Sequence, residues 1–253
     1  MKRVLPPLVA LVLFLGAWEI AVRALEIGAY LLPPPSAIAK ALSADAATLR
    51  RALVTTATST LVGFGLSAVV GVLVGVVLAS SRLLERAVYP YVVFLQTVPI
   101  VAIAPVLVIW FGPGLRAASL SALIVSVFPV IANTIAGIRS VDPALRDLFK
   151  LYGAGRLATL LKLELPAALP NIFTGLRVAA GLSVIGTIVG EFVAGFDDAD
   201  AGLGIKILAA NRQLRTDLLF AAVGLASILG LGLFLVVGVI GQRLLRRWHA
   251  SAK

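Results

Sequence analysis

Along this chain long apolar runs alternate with short polar joints, and the runs have the length of membrane crossings. Six stand out: Val4–Trp18 continuing past Glu19, Val54–Ser81, Ala87–Leu115, Ala117–Ile138, Val178–Gly190 extended at both ends, and Leu218–Gln242. About 20 helical residues span a hydrocarbon core. Backbone groups in lipid must find their hydrogen bonds internally, so runs of this length predict helices. The expected fold is an all-α integral membrane protein with about six transmembrane helices, residues 1–253 forming one membrane domain. The first run, following Lys2-Arg3, also resembles the start of a signal peptide. It continues through Leu25 without a small-residue cleavage site and is read as a retained helix.

The longest polar pieces are Glu26–Leu53, Arg139–Asn171 and Ala194–Asp217. In the first, Leu32-Pro33-Pro34-Pro35-Ser36 predicts an extended connector, with Ser36 capping a helix that runs through Lys40 to Arg50. In the second, Asp142 before Pro143 is a helix-start signal, Ala144 to Tyr152 follows as about two turns, and Gly153 is a stop. A second short helix, Arg156 to Glu164, is expected to end ahead of Pro166, because the residue before proline avoids the helical region. The first short helix brings Leu148, Phe149 and Tyr152 together, with Arg146, Asp147 and Lys150 around them. An apolar knob rimmed by charge suits protein docking; the same pattern suits a helix lying over the mouth of the bundle.

Within the spans, Pro90, Pro99 and Pro105 predict a kinked third helix facing the protein interior, since freed backbone groups need cover from lipid. Gly71 and Gly75, and Gly186 and Gly190, are small residues four apart that permit close helix contact. The third span and the Gly186/Gly190 face are expected at a contact between two copies of the chain. Glu191, in the outer part of the fifth span, either lines a solute path or holds a structural partner. Glu19, near Trp18 and Arg23, reads as an anchor at the interface or between helices, and Arg177 as a helix-end anchor.

Composition sharpens this picture. Sixty per cent of residues are hydrophobic and 13% charged, which excludes an ordinary soluble domain. With both termini cytoplasmic, 14 of the 22 Lys and Arg residues fall on the inner side. The net charge of +10 is thus accounted for by topology and anionic lipid, without nucleic acid. With no cysteine and one histidine, His249, in a basic tail, the chain lacks the residues of a serine-histidine, thiolate or metal centre. No catalytic residue, metal site or cofactor is expected. An ion-coupled secondary transporter is the alternative; it would need midplane acids and often internal repeats, and only Glu19 and Glu191 qualify.

The second polar piece resembles the cytoplasmic loop of membrane subunits in binding-protein-dependent ABC importers. Their pattern is Glu-Ala-Ala, three residues, Gly-Ala, then a run ending in Leu-Pro and a second Pro. Asp147, Leu148 and Phe149 stand at the triplet, Gly153 and Ala154 at the pair, and Leu165, Pro166 and Pro170 at the exit. The flanks agree: Pro99 through Ala104-Pro105, Trp110-Phe111-Gly112, Phe128-Pro129, Asn133-Thr134, Gly175-Leu176-Arg177, Glu191 and Gly202-Leu203-Gly204. The resemblance extends to the nitrate/sulfonate/taurine branch, and more closely to members proposed for thiamine-pyrimidine precursors or riboflavin. The chain departs from the pattern at the triplet, whose two alanines become Leu148 and Phe149, implying a matching cleft on the partner.

The resemblance implies a type I ABC importer permease fold in a bacterial inner membrane, multi-pass, with both termini cytoplasmic. It implies a pore formed by two permease copies as a homodimer, two ATPase subunits docked on residues 139–171, and an external substrate-binding protein. The solute would be a pyrimidine thiamine precursor or riboflavin, with sulfonate, taurine or nitrate also within the branch. The helix Asp147–Tyr152 would sit in the ATPase cleft, Gly153 would let it turn, and Pro166 and Pro170 would fix its angle to the fifth span. Pro99, Pro105, Asn133 and Glu191 become candidates for the pore or its gate. No Gly-Lys-Ser/Thr phosphate loop occurs, so ATP and Mg would be bound by the partner ATPase.

Overall fold

The structure, a computed structural model, describes residues 5–194 and 201–245. Lys2, Arg3, Asp197, Asp198, Asp200, Arg246, Arg247, His249 and Lys253, which carry part of the charge reading, lie outside the described residues. The described residues form helices joined by short turns, with no strand among them. They are α1 (Leu5–Ala24), α2 (Pro35–Ala44), α3 (Ala46–Ala79), α4 (Arg82–Thr97), α5 (Ile100–Phe111), α6 (Leu115–Arg139), α7 (Pro143–Leu151), α8 (Arg156–Thr159), α9 (Leu165–Ala194), α10 (Leu203–Arg212) and α11 (Thr216–Leu245). Among the described residues five continuous helices are long and apolar enough to cross a membrane, and α4 with α5, bent by 96°, makes a sixth if the pair is one broken span rather than a re-entrant loop.

That bend corrects the expected shape of the third span. Pro90 and Pro105 stay inside their helices, and the break falls between Thr97 and Ile100, at Val98-Pro99. Val98 is extended (ψ 125°), as the residue before a proline prefers. The first half of the span does not face the interior of its own chain, since α4 has no buried residue; the second half buries Ala104 and packs Leu107 against α6, while Pro90, Pro99 and Pro105 are all exposed.

The bundle is held by α6, which lies between α3 and α9. Between lipid-embedded helices the gain is dispersion and hydrogen bonding rather than release of water, so close backbone approach matters most. A methyl group at Gly71 would stand 2.6 Å from Val130 Cβ, and one at Gly75 2.6 Å from Thr134 Cβ. On the other side of α6, a methyl at Gly186 would stand 2.7 Å from Ala122 Cα, and one at Gly190 2.9 Å from Ala118 Cα. Both small-residue pairs therefore serve packing within one chain. The expectation that Gly186 and Gly190 meet a second copy is overturned, because α6 covers them.

The buried face of α3 is a stripe of small residues and hydroxyls: Ala52, Thr56, Thr60, Gly63, Ser67, Gly71, Gly75 and Ala79, spaced three or four apart. Ser119 of α6 donates to the Ser59 carbonyl at 3.0 Å. The hydroxyls of the stripe stay small and find partners within or across the helices: Ser67 donates to the Phe64 carbonyl of its own helix at 2.9 Å and Thr60 to the Thr187 hydroxyl of α9 at 3.0 Å.

At the end of the bundle where α2 lies, Ser36 is not a helix cap. Its N–H donates to Glu19 Oε2 at 3.0 Å and its hydroxyl to Glu19 Oε1 at 2.8 Å, so Glu19 ties α1 to α2. Asp45 separates α2 from α3 and accepts from Arg215 at 2.7 Å, a bond that raises the Arg215 pKa above its ordinary value. The second span accordingly starts at Ala46, well before Val54.

Candidate functional site

At the opposite end, the turn after α6 leads into α7, whose start and stop are both set by local chemistry. Asp142 accepts the Ala144 N–H at 2.9 Å and Pro143 occupies the first helical position, where a missing N–H costs nothing. At the other terminus Gly153 takes φ +73°; its N–H bonds the Lys150 carbonyl and the Ala154 N–H bonds the Phe149 carbonyl, each at 2.9 Å. This pair of bonds closes a helix end with a left-handed residue just beyond it, the conformation glycine adopts without strain.

Exposure along α7 redraws the expected knob. Leu148 is 45% exposed, Leu151 and Tyr152 are each 84% exposed, and Phe149 is half-buried. The outward apolar surface is thus Leu145, Leu148, Leu151 and Tyr152, with Phe149 turned partly inward. Asp147 and Lys150 form an exposed pair at 3.2 Å beside it.

α7 is tied to the bundle rather than hung from it. Arg146 Nε donates to Glu164 Oε1 at 2.8 Å, and its Nη2 donates to the Ile138 carbonyl at 2.6 Å. Arg139 pairs with Glu85 at 2.6 Å, joining α6 to α4, and Arg156 donates to the Ser80 carbonyl at the end of α3. A cleft of about 390 Å³ opens among these groups, lined by Ala79, Arg139, Arg146, Arg156 and Glu164 among others.

The second short helix does not stop before Pro166. After α8 the chain makes a π-helical turn, Leu160–Glu164, and runs straight into α9, so that Arg156–Val193 is one helix of 38 residues. In the π turn the Leu165 N–H bonds the Leu160 carbonyl, moving the register from four residues to five directly before Pro166, which has no N–H to give. Pro166 and Pro170 therefore lie inside a continuous helix, and Leu165 is partly buried. The fifth span begins far ahead of Val178.

The remaining candidates lie deeper. Asn133 Nδ2 donates to the Pro129 carbonyl at 2.8 Å, and its side chain packs where Gly175 of α9 leaves room. Arg177 is not at a helix end: it sits about 18 Å along α9 from Leu165. Its guanidinium is 4.5 Å from the Phe234 ring of α11, beside Gly238, with Nε buried and unpaired among the described residues. Glu191 is fully buried. Thr56 donates to its two oxygens at 2.8 and 3.0 Å, and the Gly204 N–H donates to Oε2 at 2.7 Å.

A family model for the binding-protein-dependent transport system inner membrane component matches residues 68–249. The chain belongs to that family. This permease is 36% identical over 247 residues to the riboflavin transport system permease protein of Chloroflexus aurantiacus, covering 96% of this chain and 90% of the relative. It is 33% identical to the formylaminopyrimidine transport permease protein of Halalkalibacterium halodurans, covering 90% and 89% of the two chains. It is 29% identical to the taurine transport system permease protein of Escherichia coli, covering 93% and 86%. Among solved structures, a chain of the MetNI methionine ABC transporter in an inward-facing form superposes with a TM-score of 0.67 at 20% identity, covering 79% of the permease and 96% of that chain. The permease therefore has the fold of a type I ABC importer membrane subunit, and it is a multi-pass transport component rather than a catalytic one.

Thr56, Glu85, Arg139 and Glu164 were missed by sequence reasoning as partners in this framework. The spacing of Thr56 and Thr60 with the α3 glycines carried a signal for the first. The Arg146–Glu164 pair bridges 18 residues and carried none.

Proposed function

We propose that the chain is the pore-forming subunit of an ATP-driven importer for a small organic solute, a pyrimidine thiamine precursor or riboflavin ahead of a sulfonate, taurine or nitrate. Its 253 residues act as one permease domain. Two copies form the pore, and both termini and α7 face the cytoplasm. Two ATPase subunits, which bind ATP and Mg, dock on the α7 surfaces, and an external binding protein delivers the solute. The observation that carries this reading is the weld between α7 and the 38-residue helix: an exposed apolar surface at Leu148, Leu151 and Tyr152 is fixed through Arg146 and Glu164 to the foot of a rigid lever that crosses the whole bundle. A force applied to α7 by a closing ATPase pair would tilt that lever. Leu148, Tyr152 and the half-buried Phe149 contact the ATPase cleft, with Asp147 at its rim; Gly153 and Ala154 hold the turn, and Leu165, Pro166 and Pro170 join it to the lever. Pro99, Pro105 and Asn133 border the path.

The test is uptake into proteoliposomes holding the permease, its ATPase and its binding protein. ATP inside should drive accumulation of riboflavin or a formylaminopyrimidine with no proton or sodium gradient. Uptake driven by an ion gradient without ATP would refute the reading and support the secondary-transporter alternative. Accumulation of taurine or nitrate alone would move the substrate class within the branch.

A further inference from the structure

We propose that Glu191 is the positioning residue that hands the movement of α9 to α10, so that the lever works a gate at the end of the bundle far from α7. The inference rests on the lever reading above. Glu191 sits about 40 Å along the continuous helix from Glu164, so the two carboxylates mark the driven foot and the far end of one rigid element. The carboxylate reaches α10 by two routes. It accepts the Gly204 N–H directly at 2.7 Å, and through Thr56, which accepts the Leu203 N–H at 2.8 Å while donating to Glu191. Both N–H groups belong to the first turn of α10, where no intrahelical acceptor exists and where negative charge is favoured.

The surroundings are shaped for this contact. A methyl group at Gly202 would collide with both Glu191 oxygens, and one at Gly204 would stand 2.9 Å from Oε2. Leu203 is fully buried, whereas Asn211 and Arg212 at the other end of α10 are exposed. α10 is thus gripped at its root and packed along one face through Ile207 and Ala210, with its last residues, Asn211 and Arg212, exposed, as an arm moved by its root would be. A buried acid is costly in a membrane bundle, and apolar packing alone would hold α10 as a static piece. A carboxylate with several lone pairs holds the Gly204 N–H of α10 and the Thr56 hydroxyl of α3 through a change of tilt.

The absence of cysteine makes the test clean. In the assembled complex, Asn211→Cys is labelled with an impermeant maleimide, with and without vanadate-trapped nucleotide. The labelling rate is expected to differ between the two states, and Glu191→Ala should erase that difference and lower uptake about tenfold while ATP hydrolysis continues. Glu191→Gln keeps an acceptor for Gly204 and should restore both readouts to near the starting values. Should Glu191→Ala fail to assemble, Thr56→Val, which retains shape and deletes the linking hydroxyl, should give the same weakened response. A nucleotide-dependent labelling rate that survives in Thr56→Val and Glu191→Ala, or an Asn211 label that never responds in the unsubstituted complex, overturns the proposal while leaving the permease assignment intact. Failure of the unsubstituted chain to bind any ATPase would overturn both.

Discussion

Arg146 and Glu164 meet at 2.8 Å across 18 residues of sequence, and this contact fastens the exposed helix α7 to the foot of the longest helix in the bundle. Arg146 also donates to the Ile138 carbonyl, so one guanidinium holds the end of α6, α7 and the π turn together. Replacing Arg146 with Ala leaves a carboxylate that is only 19% exposed and a carbonyl without their donor, at a stability cost of about 1–3 kcal/mol. Uptake should fall more than stability does, since α7 can still dock but no longer drives α9. Glu164→Gln retains an acceptor and should be milder. ATPase co-purification and uptake, measured side by side, check this; equal loss of both would show that the contact serves docking alone.

Gly153 offers a sharper separation of shape from space. Nothing lies within 4 Å of where its Cβ would be, so a side chain there meets no clash; the constraint is φ +73° alone. Gly153→Ala should cost roughly 1–2 kcal/mol of local helix-end stability and weaken coupling partially. Gly153→Pro, with φ locked near −65°, cannot form the cap and should uncouple transport while the spans remain folded. Thermal melting in detergent should change little for either variant. The paired change Leu148→Ala with Phe149→Ala removes outward surface chiefly through Leu148, because Phe149 is half-buried. Leu151→Ala with Tyr152→Ala should therefore impair ATPase binding at least as strongly.

The helical character of the apolar runs was readable because lipid leaves a chain few options, whereas α10, inside the polar piece Ala194–Asp217, and the division of the third run into α4 and α5 were not. The loop helix was readable because Asp142, Pro143 and Gly153 act through bonds to near neighbours. Its continuation was misread. Pro166 is a strong stop signal locally, but a π turn ahead of it moved the hydrogen-bond register, and no side-chain pattern announces such a turn. Ser36 was misread for a related reason: a hydroxyl that can cap its own helix was taken by Glu19, 17 residues earlier. The direction faced by Gly186 and Gly190 could not be told from their spacing, which is identical for a contact with α6 and for a contact with another copy.

The bias of basic residues predicts the sidedness, which is open to direct measurement. A Lys150→Cys label should react only from the cytoplasmic side, since Lys150 lies on the exposed face of α7, and an Asn211→Cys label only from outside. Arg146 is less suitable as a probe because its replacement breaks the weld to Glu164. Reaction of Lys150→Cys with an impermeant reagent in intact cells would invert the topology.

Two copies of the chain should meet through α4 and α5. The break at Val98-Pro99 interrupts the backbone ladder at mid-span, and Thr97 repays only one of the freed carbonyls, donating to Phe94 at 2.7 Å. Such a break is stable in a membrane only under protein or water. Within one chain it is only partly covered: Val98 and Ile100 are half-buried, while Pro99 is exposed and Tyr91, Phe94, Val101, Ile109 and Trp110 are each more than 60% exposed. In the reading proposed above the ATPases close as a pair and each permease offers one α7, and a symmetric pair would place the same α4–α5 surface on both sides of the contact. A cysteine at Ala102, exposed on α5, should cross-link between copies in the assembled complex, and the complex should have the mass of two permeases. Gly186→Cys should not cross-link, because a Cβ there would stand 2.7 Å from Ala122 Cα of its own chain. Gly186→Leu should instead overpack the α6–α9 contact, at a cost of about 1–3 kcal/mol, and lower the melting temperature. Cross-linking at Gly186 in place of Ala102 would require α9 to leave α6, which this packing forbids, and would show that the assembled permease pairs through a different surface.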